Sequence, residues 1–357
     1  MLKHTATSVL KKDPSDISGD IYAFLDNLED SINVPLILDF KFKFILFCGM
    51  GGSAIGGDII SDCVADSARY PIKIQRFPDI PEWVNEDTLV VISSYSGNTK
   101  ETLSMYEQAT AKNAQIIVLS SGGEISERAK AKGDLIIKIT PGLQPRCALG
   151  YTLGIMVNMM DALGDPSTKI AVQKSIPKLR TLRDELSSDI SIAWEVARRI
   201  DGRVPIIYST TDIASSALRW KSQMNENSKM MAFSGSIPEF SHNEISGWSE
   251  GEVREKCMPI FLYEERMNRY KRNAINASID TLRSYGVEPL VLKIRGKSVT
   301  EKIIRSVMIG DYVSLYLAYI SGVDPSTVAS IDEFKSRLTK LLAVRKRRRP
   351  VGPSGKA

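Results

Sequence analysis

The feature that most constrains the fold is an alternation of short apolar runs with helix-forming segments. Five such runs, rich in Val, Ile and Leu, lie at 44–48, 72–74, 89–92, 116–119 and 135–137. Strands that are apolar throughout are typical of sheets buried on both faces, and helices between them are typical of parallel sheets. We therefore expect an α/β fold with a doubly wound, mostly parallel sheet.

The second half of the chain repeats this plan, with apolar runs at 205–208, 259–263 and 289–292. Two apolar helices, expected around 150–162 and 311–320, are each followed by Asp-Pro-Ser-Thr, at 165–168 and 324–327. The two strings lie 159 positions apart, which indicates an internal duplication. We expect one domain at 1–168, with an N-terminal helical segment, and a related domain at 190–344.

The joint between the two domains is predicted from the charge-rich stretch that follows the first Asp-Pro-Ser-Thr string. In this stretch Leu179, Leu182 and Leu186 recur at helical spacing. The joint is therefore expected to be helical.

The net charge of +5 comes from the C-terminus. Six of the 47 Lys and Arg residues lie in 345–357, which contains no acidic residue, so the body carries 41 basic against 42 acidic residues. We expect 345–357 to be a disordered basic tail. Because the body shows no basic stripe with interleaved aromatics, a nucleic-acid partner is not expected.

The apolar runs and the cysteines indicate the cellular compartment in which the protein is expected. No apolar run approaches the roughly 20 residues that span a bilayer, and the first residues lack a secretory apolar core. The four cysteines are scattered without C-x-x-C spacing, which indicates free thiols and no zinc site. We expect a cytoplasmic protein with no membrane partner.

The first run leads into Gly49-Met50-Gly51-Gly52-Ser53-Ala54, which fits the loose dinucleotide fingerprint G-x-G-x-x-A. That fingerprint needs an acidic residue at the end of the second strand, but the second run leads into Gln75 and Arg76. No Gly-Lys-Ser/Thr follows either, so the loop is not of the Walker type. It indicates a close backbone approach to a ligand or, equally, close packing of helix on strand.

A second turn, Ser93 to Thr102, follows the third run and reads Ser-Ser-Tyr-Ser-Gly-Asn-Thr-Lys-Glu-Thr. One helix cap needs one hydroxyl, whereas this turn offers several, in addition to the free N–H groups at a helix start. Such a turn suits a phosphate dianion. Because ligands of parallel sheets bind at the carboxyl ends of neighbouring strands, both turns should face one crevice.

The turn Ser-x-Ser-Gly-x-Thr resembles the signature of the sugar isomerase (SIS) fold, whose members bind phosphosugars. Within that superfamily the chain is most similar to the bifunctional phosphoglucose/phosphomannose isomerases over roughly residues 20 to 340. The resemblance depends on five motifs, which are Gly-Met-Gly-Gly-Ser at 49–53, Ser-Tyr-Ser-Gly-Asn-Thr at 94–99, Pro-Arg at 145–146, Asn-Glu-Asn at 225–227 and Ser-His-Asn-Glu at 241–244. It implies two tandem SIS-type domains of the flavodoxin-like or Rossmann-like kind.

Two of these motifs contain residues with the chemistry that an aldose–ketose isomerase needs. A single carboxylate can move a proton between C2 and C1 through an enediol, and imidazole can assist ring opening. Glu226 has an Asn on either side, which could aim its carboxylate. His242 follows the segment 233–241, whose Gly, Pro and Ser content predicts an exposed loop. The only other histidine is His4.

The resemblance implies roles for these residues. Glu226 would shuttle the C1/C2 proton, His242 would open the sugar ring, and Arg146 would stabilise the enediolate. The phosphate would be held by Gly52, Ser53, Ser94, Ser96 and Thr99. Lys335 is a candidate match for a lysine that reaches the site from the C-terminal helix. The resemblance further implies a homodimer in which the partner supplies His242, with no metal or cofactor.

Two alternatives remain open from the sequence. A phosphosugar-sensing module could use the same pocket without chemistry, although it would need neither a base nor an imidazole there. An NADP-dependent reductase could use Arg76 to accommodate the extra phosphate. Conversion of fructose 6-phosphate without a cofactor separates all three possibilities.

Overall fold

The structure is a computed structural model. It describes residues 5–347 apart from Lys12 and Pro14, and the side chains of 342–347 are not described. His4 and residues 348–357 lie outside the described residues. Residues up to Pro325 form one compact unit and the segment from Ser326 forms another, and each is described by itself.

The first unit begins with three short helices and continues into a five-stranded parallel sheet. Its order, β2-β1-β3-β4-β5, is that of flavodoxin-like doubly wound sheets. All five predicted strands are present. The elements are α1 (Ala6–Leu10), α2 (Ile17–Tyr22), α3 (Phe24–Ile32), β1 (Phe44–Cys48), α4 (Ile55–Cys63), β2 (Ile72–Gln75), β3 (Thr88–Ser93), α5 (Lys100–Ala111), β4 (Gln115–Ser120), α6 (Gly123–Lys132) and β5 (Leu135–Lys138).

Three helices connect the two sheets: α7 (Leu149–Ala162), α8 (Ser167–Leu186) and α9 (Ile192–Ile200). The predicted helical joint corresponds to α8, and its Leu179, Leu182 and Leu186 are buried. These side chains belong to a hydrophobic core shared by both halves of the first unit.

The second sheet has four parallel strands in the order β7-β6-β8-β9, which repeats the first sheet without its last strand. This repetition agrees with the predicted duplication. The elements are β6 (Val204–Thr210), α10 (Ala214–Glu226), β7 (Phe233–Ile237), β8 (Cys257–Glu264), α11 (Arg269–Ser284), β9 (Leu290–Ile294) and α12 (Val299–Ile320).

The strand β7 corrects the prediction of a loop over 233–241. Its Phe-Ser-Gly-Ser-Ile sequence lacks an apolar run, but its backbone pairs with β6 from Ile206–Phe233 to Thr210–Ile237. An edge strand needs a partner on one side only, so its exposed first residues tolerate polar side chains. Only the part from Pro238 onwards is loop and 3-10 helix.

The helix α12 forms the centre of the core. By length and composition alone it could cross a membrane, contrary to the expectation from the apolar runs, but 83% of its most apolar window is buried inside the protein. Trp220 of α10 packs beside it and donates its indole N–H to the carbonyl of Ser306 at 2.7 Å. The packing of α10 on α12 holds the end of α10, where Glu226 lies.

Among its described residues the second unit contains one helix, α13 (Ala329–Arg347), on which Lys335 is exposed. The tail expected from residue 345 therefore begins with helical residues as far as Arg347. The domain boundaries at 168 and 190 stay a prediction.

Candidate active site

The two predicted turns lie side by side at one edge of the first sheet. β1 and β3 are parallel neighbours, with Cys48 paired to Ile92, so the turns after them leave the same edge. Ser53 joins them, because its Oγ accepts a hydrogen bond from the backbone N–H of Tyr95 at 3.3 Å. This is the switch point at which doubly wound sheets bind ligands.

The hydroxyls of the second turn have spare hydrogen-bonding capacity. Ser94 is buried, and its Oγ has no partner among the described residues. Thr99 occupies the N-cap position of α5 but makes no side-chain cap hydrogen bond, and the exposed Ser96 only accepts a 3.4 Å hydrogen bond from Asn98 N–H. The turn is thus not an ordinary cap, and it offers donors to an anion.

The turn geometry depends on Gly97, whose φ is +70°. A Cβ at this position would lie 1.7 Å from the carbonyl oxygen of Gly122, so only glycine fits. The Gly97 carbonyl in turn accepts a hydrogen bond from Ile125 N–H at 3.0 Å. The turn is therefore held against the start of α6.

Both turns contact the loop that carries Arg146. Tyr95 donates its hydroxyl to the carbonyl of Thr140 at 3.0 Å and accepts the N–H of Leu143 at 2.8 Å. Gly52 packs so closely on this loop that a Cβ would lie 3.0 Å from the carbonyl oxygen of Pro145. The glycines of the first turn thus permit a close backbone approach to the segment before Arg146.

Arg146 and Glu226 come together across the two halves of the chain. Nη1 of Arg146 lies 3.8 Å from Oε2 of Glu226. Arg146 is 2% exposed, whereas the Glu226 side chain is 25% exposed and accepts no hydrogen bond from a described residue. The site therefore contains a buried guanidinium beside an accessible carboxylate, as an enediolate reaction requires.

The asparagines beside Glu226 do not aim its carboxylate, contrary to the sequence expectation. Asn227 is fully buried, accepts the Nε–H of Arg146 at 2.6 Å and donates to Ser314 Oγ at 2.9 Å. Asn225 donates to the carbonyl of Met230. Asn227 points to the guanidinium because α10 ends there and its side chain turns toward the core.

Three residues of this site escaped the sequence analysis. Arg219 and Asp311 form a buried bidentate ion pair at 2.9 and 2.8 Å, and Arg219 also donates to the carbonyl of Arg146 at 2.9 Å. The carbonyl of Pro325 accepts Nη2 of Arg146 at 2.6 Å. The sequence signal for the pair was Asp311, a single charged residue within the apolar later part of α12, whereas α10 is polar enough that Arg219 carried no signal.

Lys229 adds a second cation close to Glu226. Its Nζ donates to the carbonyl of Glu226 at 2.5 Å and to that of Pro325 at 3.4 Å. Its φ of +54° is unusual for a residue with a Cβ. Partial desolvation and the nearby Arg146 guanidinium lower the pKa of Lys229.

His242 is not bonded to any residue of this group. It ends a 3-10 helix (Glu239–His242) after β7, is exposed, and makes no hydrogen bond or ion pair with any described residue. Lys335 belongs to the second unit. Within the first unit the structure thus brings together the phosphate turns, Arg146 and Glu226, and it links His242 to none of them by a hydrogen bond or an ion pair.

The equivalent crevice of the second sheet is filled by the protein itself. At the ends of β6 and β8, Glu264 is 1% exposed, accepts the hydroxyl of Thr210 at 2.5 Å and pairs with Lys302 at 2.7 Å. An anion would have to displace this buried pair. The duplicated halves are therefore asymmetric, and the first half has the open, hydroxyl-rich turns.

Two further findings concern the NADP-dependent alternative and a metal site. Arg76, which an NADP site would need, forms an ion pair with Asp58. Within the part of the chain that the structure describes, no group of three or more His, Cys, Asp or Glu side chains could hold a metal ion.

Comparison with known proteins adds independent evidence. The family profile "Bacterial phospho-glucose isomerase C-terminal SIS domain" matches residues 190–338. The bifunctional phosphoglucose/phosphomannose isomerase of Aquifex aeolicus is 36% identical over 84% of this chain and 91% of its own. The enzyme of the same name from Caldicellulosiruptor bescii is 36% identical over 83% and 90%.

Solved structures agree on the fold. A hypothetical protein from Thermus thermophilus superimposes with a TM-score of 0.72 and 15% identity, covering 95% of this chain and 94% of its own. Sequence identity, coverage and fold lead to one conclusion: this chain belongs to the bifunctional phosphoglucose/phosphomannose isomerase family.

Proposed function

We propose that this protein is an aldose–ketose isomerase that interconverts glucose 6-phosphate and mannose 6-phosphate with fructose 6-phosphate, without a cofactor. The observation that carries the proposal is the approach of Arg146 to Glu226 beside two turns with unused hydrogen-bond donors. Family membership supplies the substrate class. A phosphosugar sensor would need the turns but not the buried guanidinium and the accessible carboxylate.

The proposed reaction uses the two ends of the sugar separately. Gly52, Ser53, Ser94, Ser96 and Thr99 hold the phosphate at the edge of the first sheet. The carboxylate of Glu226 takes the proton from C2 of the open-chain aldose and returns it to C1. In the opposite direction, starting from the ketose, the proton is delivered to C2. Delivery to one face of C2 yields glucose 6-phosphate, and delivery to the other face yields mannose 6-phosphate.

Arg146 stabilises the charge that develops during this proton transfer. Abstraction of the C2 proton leaves a cis-enediolate with negative charge on oxygen. The guanidinium is buried, and its hydrogen-bond acceptors are a neutral amide and a carbonyl. Because neither acceptor is charged, these hydrogen bonds do not offset the positive charge of the guanidinium, and that charge favours an anionic intermediate.

The proposal includes a homodimer in which His242 opens the sugar ring in the partner's site. His242 is exposed and has no partner among the described residues, so its imidazole is accessible to a second copy. The segment before it carries the exposed side chains of Met231 and Phe233, which a subunit interface would cover. We also propose Lys335 as a substrate residue from α13.

A cytoplasmic location and a role in glycolysis and gluconeogenesis follow from the proposed substrates. Phosphosugars are charged metabolites of the cell interior, and the four cysteines are free. Both proposals depend on the proposed isomerase activity and would be wrong if the protein lacked it.

The proposal is tested by incubating the protein with fructose 6-phosphate in D₂O without any cofactor. We expect both aldoses by NMR, with deuterium at C2 in those turnovers in which the proton on the Glu226 carboxyl group exchanges with solvent before it is delivered. In Glu226→Gln both turnover and deuterium incorporation should fall about 10³-fold, whereas the surface control Glu288→Gln should retain both. Binding of fructose 6-phosphate without turnover in the wild-type protein would instead support the sensor.

A further inference from the structure

The second Asp-Pro-Ser-Thr string makes a hydrogen bond within the site. In the first copy, Asp165 accepts the N–H of Ser167 at 3.1 Å and the hydroxyl of Ser67 at 2.8 Å, and thereby stabilises the start of α8. In the second copy, the carbonyl of Pro325 accepts Nη2 of Arg146 at 2.6 Å. The duplicated string has thus acquired a contact with the site in the second half.

The Pro325 carbonyl acts together with Asn227. Pro325 binds Nη2 of Arg146, and Asn227 Oδ1 binds Nε at 2.6 Å. Asn227 is itself fixed by Ser314, whose Oγ donates to the carbonyl of Asp311 at 2.7 Å. Because a guanidinium is planar and rigid, two hydrogen bonds to different nitrogens define the orientation of the whole group.

We propose that Asn227 and the Pro325 carbonyl form a guanidinium seat that directs Nη1 of Arg146 toward Glu226 and the reacting carbons. Both acceptors are neutral, so the seat orients the positive charge without cancelling it. Asn227 is therefore a positioning residue. The inference rests on the proposed isomerase function for its kinetic test, but the geometry of the seat can be tested without activity.

The backbone of Arg146 is held separately from its side chain. Nη2 of Arg219 donates to the carbonyl of Arg146 at 2.9 Å while the same guanidinium pairs with Asp311. Arg219 and Asn227 lie eight residues apart, at α10 and its C-cap, which corresponds to about two helical turns and places them on one face. One face of α10 thus fixes the backbone and the side chain of Arg146.

The kinetic test compares Asn227→Ala with Ser222→Ala. Ser222 lies on the same helix, and among the described residues its hydroxyl donates only to the carbonyl of Leu218. Ser222→Ala therefore removes a polar group from α10 without touching Arg146 and is the matched control. We expect kcat to fall about tenfold or more in Asn227→Ala, with KM nearly unchanged because the phosphate turns are intact. An unchanged kcat in a folded Asn227→Ala protein would overturn the proposal.

Chemical rescue tests the seat directly. Arg146→Ala leaves the two acceptors in place, so free guanidinium should restore part of kcat in a saturable manner. The double variant Arg146→Ala/Asn227→Ala should need about tenfold more guanidinium for half of the maximal rescue. Equal rescue of the single and the double variant would show that Asn227 does not form the seat.

An activity-independent measurement separates this inference from the proposed function. Hydrogen exchange of the Arg146 Nε–H, followed by NMR, should be slow in the wild type and in Ser222→Ala but at least about tenfold faster in Asn227→Ala. Fast exchange in the wild type would refute the seat. A slow exchange in a wild-type protein without isomerase activity would retain the seat and refute the proposed function.

Discussion

Nη1 of Arg146 lies 3.8 Å from Oε2 of Glu226, although the two residues belong to different halves of a duplicated chain. This separation is too long for a hydrogen bond but short enough for a strong charge interaction. Arg146 is buried and Glu226 is partly accessible, so substrate can reach the carboxylate while the guanidinium stays fixed. In the proposed reaction this arrangement separates proton transfer by Glu226 from charge stabilisation by Arg146.

The first prediction concerns the charge of Arg146. Arg146→Lys retains a cation but cannot engage Asn227 and Pro325 with the same planar geometry. We expect kcat to fall about 10²–10³-fold with a small change in KM, since the guanidinium acts on the intermediate and the turns bind the phosphate. Steady-state kinetics with fructose 6-phosphate measure both constants. The exposed Arg180→Lys is the control, and a larger effect on KM than on kcat would contradict the assignment.

The second prediction concerns the partner's His242. If each site combines Glu226 of one subunit with His242 of the other, a heterodimer of Glu226→Gln and His242→Ala contains one intact site and one doubly altered site. Two affinity tags allow this heterodimer to be purified after co-expression. We expect roughly half of the wild-type activity per dimer, while both parent homodimers remain strongly impaired.

The same experiment can reject the shared site. If His242 acts within its own subunit, each site of the heterodimer lacks one group and activity stays at the level of the parents. A protein that remains monomeric in sedimentation at assay concentrations would also contradict the proposed dimer.

The third prediction separates the binding role of Ser94 from a structural one. Ser94 Oγ is buried without a partner among the described residues, so its removal deletes an unsatisfied group rather than a hydrogen bond. Ser94→Ala should therefore keep or raise the midpoint of thermal unfolding while KM rises about tenfold, because a hydrogen bond to the phosphate is lost. An unchanged KM would remove Ser94 from the phosphate site.

The sequence predicted the apolar strands and both turns because these features depend on residues that are neighbours in the chain. It predicted the duplication because one string of residues occurs twice. Continuous apolar runs report burial on both faces, and the sheet order then brings the turns to one edge. β7 escaped prediction, since its Ser-Gly-Ser centre carries no apolar pattern and its pairing with β6 depends on the tertiary fold. Local propensity cannot reveal such an edge strand.

The contacts around Arg146 could not be predicted for a related reason. Its Pro325 acceptor lies 179 positions away along the chain, and a backbone carbonyl has no sequence signature. Asn227 was correctly singled out as a neighbour of Glu226 but assigned the wrong partner. A side chain after the last helical residue can point to several neighbours, and only tertiary packing selects the guanidinium.

The fourth prediction concerns the phosphate turn. In Gly97→Ala the new Cβ would clash with the Gly122 carbonyl, in addition to the cost of a positive φ. We expect the free energy of unfolding to fall by about 3 kcal/mol. Gly133 also has a positive φ but no atom within 4 Å of a Cβ, so Gly133→Ala should cost only about 1 kcal/mol. Urea denaturation measures both, and equal losses would show that the contact with Gly122 is unimportant.

The last prediction concerns Asp62 of α4, which accepts the backbone N–H of Ser215 near the start of α10 at 2.8 Å. Burial raises the pKa of Asp62 to about 6, against the opposing effect of the hydrogen bonding from Ser215 and with a smaller contribution from the nearby Asp58 and Asp212 carboxylates. The folded protein therefore holds this proton at a pH where the unfolded chain has released it. The resulting stabilisation is complete below about pH 4 and is lost as pH rises through about 6.

Asp62→Asn should remove this dependence, because its amide oxygen can still accept the N–H but does not titrate. We expect the free energy of unfolding of the wild type, relative to Asp62→Asn, to fall by about 2 kcal/mol between pH 4 and pH 7. Urea denaturation at unit pH steps measures the difference. The exposed Asp66→Asn controls for the loss of one negative charge. If the difference between wild type and Asp62→Asn is flat across this range, the carboxylate is not desolvated by the packing of α4 on α10.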